Sequence, residues 1–398
     1  MSKSKVDHIW SKLAILLLNI FVVSSGATAA TIPLMIKSFP NVAPTLIEST
    51  MTISSLGIIL FTPLSNIIAD KLGIKKTIIL GLAIITICGI IPVFTNNFPL
   101  IFISRIGIGV GTGLLASYSQ SLIIALYSGK KQQQLLGWSS VVQGLGMFLM
   151  TFMAGILLAH GWHNAYWVNI IALPVLLMFM AFIPHTLRIE QAKNVNDVDS
   201  KGSKKINRKI WLLSTFIFFF NATFAFVSIK FASLVLEKGY GTASDASTLL
   251  GIMSFAMAAG GFIFMSMSEK LKRFSLAISI SAGFIGFLIF TISNSLILSG
   301  IGVILVGISV SMTMVSTMSS VGQFTSPKQV PFSTSVVMTV ANIGTLLSPY
   351  IAQVLSKLSG NNSSEFTFIC GAVIMLVLLF LVVWIGINYH KLQYQMNK

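Results

Sequence analysis

Twelve stretches of about twenty mostly apolar residues follow one another along this 398-residue chain, parted by short loops. That rhythm restricts the fold sharply. A bilayer core about 30 Å thick takes roughly 20 helical residues to cross, and inside it backbone polar groups are satisfied only within helices or closed barrels. The expected spans are 12–36, 45–69, 77–95, 99–127, 136–159, 166–184, then 210–235, 246–268, 274–293, 297–325, 333–357 and 366–388. Residues 185–209 interrupt the rhythm. They carry Glu190, Lys193, Asp197, Asp199, Lys201, Lys204, Lys205, Arg208 and Lys209 with little to bury, so they read as a linker. The sequence predicts an all-α membrane protein of twelve transmembrane helices in two pseudo-symmetric six-helix bundles, 1–184 and 210–398, joined by a cytoplasmic linker over 185–209.

Charge supports that class. Only 9% of residues are charged and 55% are hydrophobic, against about 25% charged in soluble domains. The net charge of +16 does not point to nucleic acid, because the basic residues scatter through short loops instead of gathering on one face. Cys88 and Cys370 both fall inside apolar spans and read as small core hydrophobes. No metal cluster, nucleotide-binding loop or nucleophile–base set is apparent, so neither a cofactor nor an enzyme is expected.

Basic residues also set orientation. With the N-terminus inside, the outer loops carry only Lys37, Lys238 and Lys357. Both termini are therefore expected in the cytoplasm of a cell whose plasma membrane holds the protein. The stretch from Ser25 to Ala30 imitates a signal-peptidase site, but an uncleaved first span is expected because cleavage would leave eleven spans.

The halves repeat. The loop after the second span carries Asp70, Lys71, Lys75 and Lys76; the loop after the eighth carries Glu269, Lys270, Lys272 and Arg273. An acidic residue leads each cluster, 199 positions apart. Parallel six-span repeats are one known transporter layout, with binding near mid-membrane between them.

The run from Asn66 through Ala69-Asp70-Lys71-Leu72-Gly73-Ile74-Lys75-Lys76 resembles the signature G-x-x-x-D-R/K-x-G-x-R/K-R/K of the major facilitator superfamily, with Asn66 in place of its first glycine. Arg105, Gly107, Gly109 and Gly111 in span four are similar to an element of its proton-coupled exporters. Gly144, Gly146 and Gly155 in span five resemble its drug-exporting members, without their proline. The resemblance implies the twelve-span drug/proton antiporter branch. It also implies that Asp70, Lys71, Gly73, Lys75, Lys76, Glu269 and Lys270 govern conformational change. Asp70 at a helix C-terminus faces an unfavourable dipole, so it is expected to dock on the N-terminus of span eleven when the inner side closes; pairing with its lysine neighbours in solvent is the alternative. Lys71, Lys75 and Lys76 would hold the loop at the headgroups.

Ionisable groups inside spans are rare and functional by default. Arg105 lies about six residues into span four, Glu48 near the outer start of span two, and Lys230 toward the outer end of span seven. Arg105 stays charged and can hold a carboxylate, so a Glu48–Arg105 proton switch is one reading. Glu48 as a simple helix-terminal cap is the other, and Lys230 either meets substrate or snorkels. Asn19, Gln120, Gln143, Asn221 and Asn342 occupy spans that resembling proteins use to line their cavity.

The expected function is secondary transport by alternating access, as a monomer, of a small molecule. Export of an amphipathic or drug-like compound coupled to protons leads. A permease for a sugar, nucleoside or organic anion is the alternative. A non-transporting membrane sensor would be expected to carry a soluble module, which these residues do not show.

Overall fold

Every regular element among the described residues of the computed structural model, 9–22, 24–127, 129–183, 208–268, 275–325 and 329–387, is a helix. Chain order gives α1 (Ile9–Phe21), two 3-10 turns (Ser24–Gly26 and Ala29–Thr31), α2 (Ile32–Ser38), α3 (Pro44–Thr52), α4 (Ser54–Leu72), α5 (Ile74–Phe94), α6 (Phe98–Leu126) and α7 (Gly129–Leu158). A 3-10 segment (Asn164–Ile171) then leads into α8 (Ala172–Phe182). The rest comprises α9 (Arg208–Glu237), α10 (Ala243–Ser268), α11 (Ser275–Ile292), α12 (Leu296–Phe324), α13 (Val330–Ser359) and α14 (Ser364–Ile387).

Ten helical stretches among the described residues are long and apolar enough to cross a membrane, and a bent pair makes an eleventh. The 26-residue helix α10 stands where the eighth span is expected. Ile87, Ile103, Leu149, Leu177, Phe380 and Trp384 leave much of their surface uncovered by protein. On helices this apolar, such a surface is solvated by lipid.

The first span departs from expectation. A straight helix over 12–36 is replaced by two pieces bent 51° from each other. Between them the backbone uses three-residue bonds, Ala27 N–H to Ser24 O at 3.0 Å and Thr31 N–H to Thr28 O at 3.1 Å. The cause is local. Ser24 and Thr31 turn their hydroxyls onto the carbonyls of Phe21 and Thr28, competing with the helical ladder, and Pro33 lacks an N–H. The sixth span likewise starts as 3-10 helix before α8.

The described chain divides into two compact units, Met1–Lys205 with Ala246–Gly251, and Ile206–Asp245 with Ile252–Lys398. Each repeats the same close crossings. In the first unit a methyl added at Gly109 of α6 would run into the Ser54 carbonyl of α4; in the second, one added at Gly307 of α12 would meet the Met253 carbonyl of α10 at 2.6 Å. Gly146 of α7 packs on Ile20 of α1, and Gly344 of α13 packs on Phe218 of α9. In the last two pairs both partners are displaced by 198 positions. Small residues let membrane helices approach backbone to backbone, so the duplication extends from the loop motif into the packing. Aromatic rings fill the second unit: Phe290 lies 5.2 Å from Phe231 and 5.1 Å from Phe368, centroid to centroid.

Candidate functional site

The signature loop joins α4 to α5 through Gly73 at φ 86 and ψ 147, a conformation nearly confined to glycine. Its N–H closes α4 on the Ala69 carbonyl at 2.8 Å, and its carbonyl receives the Thr77 N–H at 3.1 Å, opening α5. Asp70, Lys71 and Lys76 stand exposed around the turn. Lys75 does not. It is 5% exposed, and its Nζ donates to the Met180 carbonyl at 2.7 Å. The Ser11 hydroxyl donates to the Phe182 carbonyl at 3.1 Å. Together they cap the last turn of α8, whose carbonyls have no helical partner and carry the negative end of the dipole. The expected headgroup role is thereby corrected for Lys75: the carbonyls of a neighbouring helix end draw it inward.

Asn66, the departure from the signature, accepts a hydrogen bond from the Tyr118 hydroxyl at 3.0 Å, and the same hydroxyl lies 3.1 Å from the Ser65 carbonyl. This ties α4 to α6 one turn above Asp70. Glu269 and Lys270 lie outside the described residues, as does the side chain of Gln120.

Arg105 is 1% exposed and sits seven residues into α6. One terminal nitrogen, Nη2, donates to Oγ1 of Thr28 at 2.8 Å, and the guanidinium carbon lies 4.3 Å from the centre of the Tyr166 ring. Its Nε has no hydrogen-bond partner among the described residues. Tyr166 is fully buried and held by Thr31 at 3.2 Å and by the Met35 sulfur at 3.3 Å. Thr31 in turn donates to the Thr28 carbonyl at 2.7 Å. The break in the first span thus creates the hydroxyl partner of Arg105. Ser54 secures the Arg105 backbone by donating to its carbonyl at 2.9 Å.

Glu48 is buried at 3% exposure on α3. Lys230 is half-buried on α9. Of the amides, Asn19 donates to Leu16 O at 3.1 Å, Asn221 to Ile217 O at 3.0 Å and Asn342 to Met338 O at 2.9 Å. Each thus spends a donor on its own helix. Gln143 is half-buried on α7.

Sequence reasoning missed Thr28, Thr31 and Tyr166. A usable signal existed for the threonines: a run of small polar residues with Gly26 and then Pro33 marks a helix break as readily as it imitates a cleavage site. Tyr166 had none, because an aromatic at a span end ordinarily reads as an interface anchor.

In the second unit, Glu237 ends α9 and Lys238 follows it. Glu237 accepts from the Ser364 N–H at 2.9 Å and its hydroxyl at 2.7 Å, capping α14. Lys238 donates to Thr291 O at 2.6 Å and Ser293 O at 3.3 Å, capping α11, and lies 3.4 Å from Glu365. In the first unit, His163 stacks on Trp162 with centroids 3.6 Å apart and meets Oδ1 of Asn96 at 2.7 Å. Partial burial there holds its imidazole below the usual histidine range.

Described residues whose regular elements are all helical, with duplicated close crossings and a guanidinium sealed inside a span, define a multi-pass membrane protein. The chain belongs to the Major Facilitator Superfamily, whose family model matches residues 14–235 and 211–395. Members of that superfamily are generally not enzymes. An uncharacterized MFS-type transporter, YfiU, from Bacillus subtilis is 24% identical over 208 residues, 51% of this chain and 39% of the relative. The riboflavin transporter RibZ of Clostridioides difficile is 26% identical over 129 residues, 32% of this chain and 28% of that one. The chain therefore spans well under half the length of these relatives. Among solved structures, the nucleoside transporter NupG superposes with a TM-score of 0.74 at 13% identity, covering 94% of this chain and 98% of that one. The human organic anion transporter MFSD10 gives 0.64 at 16% identity, covering 94% and 100%. Those identities speak to the fold alone.

Proposed function

We propose that this protein is a secondary active transporter in which twelve spans form two six-helix bundles that alternate access to one central site. The observation that carries this reading is the pairing of duplicated crossings with a charged residue buried in a span. Duplicated units supply two bodies able to rock, and a charge kept at membrane depth is tolerated for function. In this reading both termini are cytoplasmic, the protein resides in the plasma membrane, and a monomer suffices.

Asp70, Lys71 and Gly73, with Glu269 and Lys270 in the second half, are assigned to gating, as is Lys76. Arg105, Glu48 and Lys230 are assigned to coupling or substrate contact. Asn19, Gln120, Gln143, Asn221 and Asn342 line the path. The cargo is a small amphipathic organic molecule moved outward against entering protons. Transport into proteoliposomes under an imposed pH gradient tests this, with dyes, nucleosides and organic anions as cargo. Flux that ignores the gradient would remove proton coupling. Asp70→Asn that moves cargo as fast as the parent, at equal reconstitution, would remove the gate.

A second reading, a permease for organic anions, is favoured by one observation: among the described residues the side-chain contacts of Arg105 are a hydroxyl and a ring face.

A further inference from the structure

We infer that Arg105 and Thr28 form a seat for a single carboxylate, so that the transported molecule is an organic monocarboxylate. This rests on the transporter reading and sharpens it to a chemical class.

Three observations converge. The first is charge balance. Arginine keeps its charge at any physiological pH, and a buried ion without an opposing one is expensive in a protein interior. The Tyr166 ring and one hydroxyl compensate only partly. The second is donor geometry. Thr28 is 3% exposed, and its Oγ1 accepts from Nη2 of Arg105. That leaves the threonine hydrogen free to donate, with no acceptor for it among the described residues. Nε of Arg105 also has none. Two buried donors, Nε of Arg105 and the Thr28 hydroxyl, sit on side chains already linked through Nη2; both lack an acceptor among the described residues, which describes a place where acceptor oxygens belong. Buried donors are otherwise almost always paired. Guanidinium presents its N–H groups as a fork matched to the two oxygens of a carboxylate.

The third observation is the backbone. From Ser24 to Thr31 the span is held by 3-10 turns rather than α-helix. Irregular backbone at membrane depth is tolerated where it is buried in protein or lines a cavity, and broken spans carry substrate sites in several transporter folds. The break brings Thr28 to Arg105. Tyr166 then serves as the floor: its ring carries the cation while its hydroxyl is occupied by Thr31 and Met35, so it offers the ligand no competing donor.

The test uses the full chain in detergent and in vesicles. A panel of aryl and alkyl monocarboxylates, 1-naphthoate among them, is compared with the corresponding primary amides, which keep the shape and lose the charge. A ligand that binds only the folded protein raises Tm. At least one carboxylate is expected to raise Tm and its amide to leave it unchanged. Arg105→Gln should abolish the shift, Arg105→Lys weaken affinity about tenfold by losing the fork, and Thr28→Val weaken it several-fold. Tyr166→Phe should preserve it. Thr28→Val and Tyr166→Phe keep the guanidinium in place, so they answer the question if Arg105→Gln fails to fold.

The assignment falls if no carboxylate shifts Tm, if amides shift it equally, or if Arg105→Gln and Thr28→Val both respond like the parent. It also falls if sodium chloride, compared with sodium sulfate, gives the whole Arg105-dependent shift, since the seat would then hold an inorganic halide. An Arg105-dependent carboxylate shift without transport of any probe would support the seat and remove the transporter reading instead.

Discussion

Lys75 reaches across the first unit to place its ammonium 2.7 Å from the carbonyl of Met180, turning one lysine of a charged loop motif into the cap of a distant helix end. Its neighbour Lys76 points outward and is exposed. The two therefore separate in kind: Lys75 fastens the end of the unit's last span, and Lys76 contributes charge.

Replacing Lys75 by methionine should accordingly cost stability where Lys76→Gln does not. A hydrogen bond to a charged group is worth about 1.5–3 kcal/mol, and the carbonyl of Met180 would lose that bond. Thermal melts of the two variants in detergent should show Lys75→Met lowered by several degrees and Lys76→Gln within about 1 °C of the parent. Equal melts would mean that the cap is dispensable.

The duplicated crossings make a matched pair of substitutions informative. Alanine at Gly109 would strike the Ser54 carbonyl, and alanine at Gly307 the Met253 carbonyl. Neither neighbour is a flexible side-chain tip, so each should lose about 1–3 kcal/mol through forced separation of the helices. Gly137 on α7 has nothing within 4 Å of where a methyl would go. There alanine should be neutral or stabilise by up to about 1 kcal/mol, because glycine is costly inside a helix. Chemical denaturation or thermal melts of the three variants would order them, and a stable Gly109→Ala would contradict the close approach.

How far the sequence discloses this fold depends on which force sets each feature. Span positions were legible because hydrophobic length is a property of contiguous residues: the expected 99–127 corresponds to Phe98–Leu126, and 297–325 to Leu296–Phe324. Gly73 was marked only through the resemblance of its loop to the signature, and the sharp turn that demands a glycine there comes from the structure. The bend in the first span was not legible, because apolar content stays high through Ala27, Ala29 and Ala30 while the hydroxyls of Ser24 and Thr31 divert the ladder. Partners of buried charges were the least legible. Arg105 was marked by its rarity inside an apolar span, but Thr28 and Tyr166 lie 77 and 61 positions away and meet it only through tertiary packing. Lys75 looked like its neighbours in composition, and only the terminus of α8 distinguishes it.

The loop at His163, between α7 and the 3-10 segment Asn164–Ile171, carries a pH response. Burial beside Trp162 lowers the imidazole pKa of His163 in the folded state, so between that value and about 6.5 the unfolded chain binds more protons. Stability from this group is present above about pH 6.5 and is lost as pH falls through the depressed folded value. A melt series from pH 8 to pH 5 should show Tm falling on the acid side. His163→Gln, which cannot be protonated, should flatten that dependence by about 1–2 °C. An unaltered slope would assign the acid sensitivity to other groups.

Glu237 and Lys238 offer a test of additivity. They are adjacent in sequence yet serve different helix ends, Glu237 the N–H groups at the start of α14 and Lys238 the carbonyls at the close of α11. Each sign suits the dipole it faces. Glu237→Gln and Lys238→Met should each cost about 1–2 kcal/mol. Because their partners are mostly distinct, the double variant should lose close to the sum of the two, within about 0.5 kcal/mol. The one shared element is Glu365, 3.4 Å from Lys238 and next to Ser364. Glu365→Gln should therefore remove any residual coupling, while costing little itself because the carboxylate is 45% exposed. A double variant no worse than either single would mean that the two residues act as one ion-paired cluster, and that the three helix ends separate together.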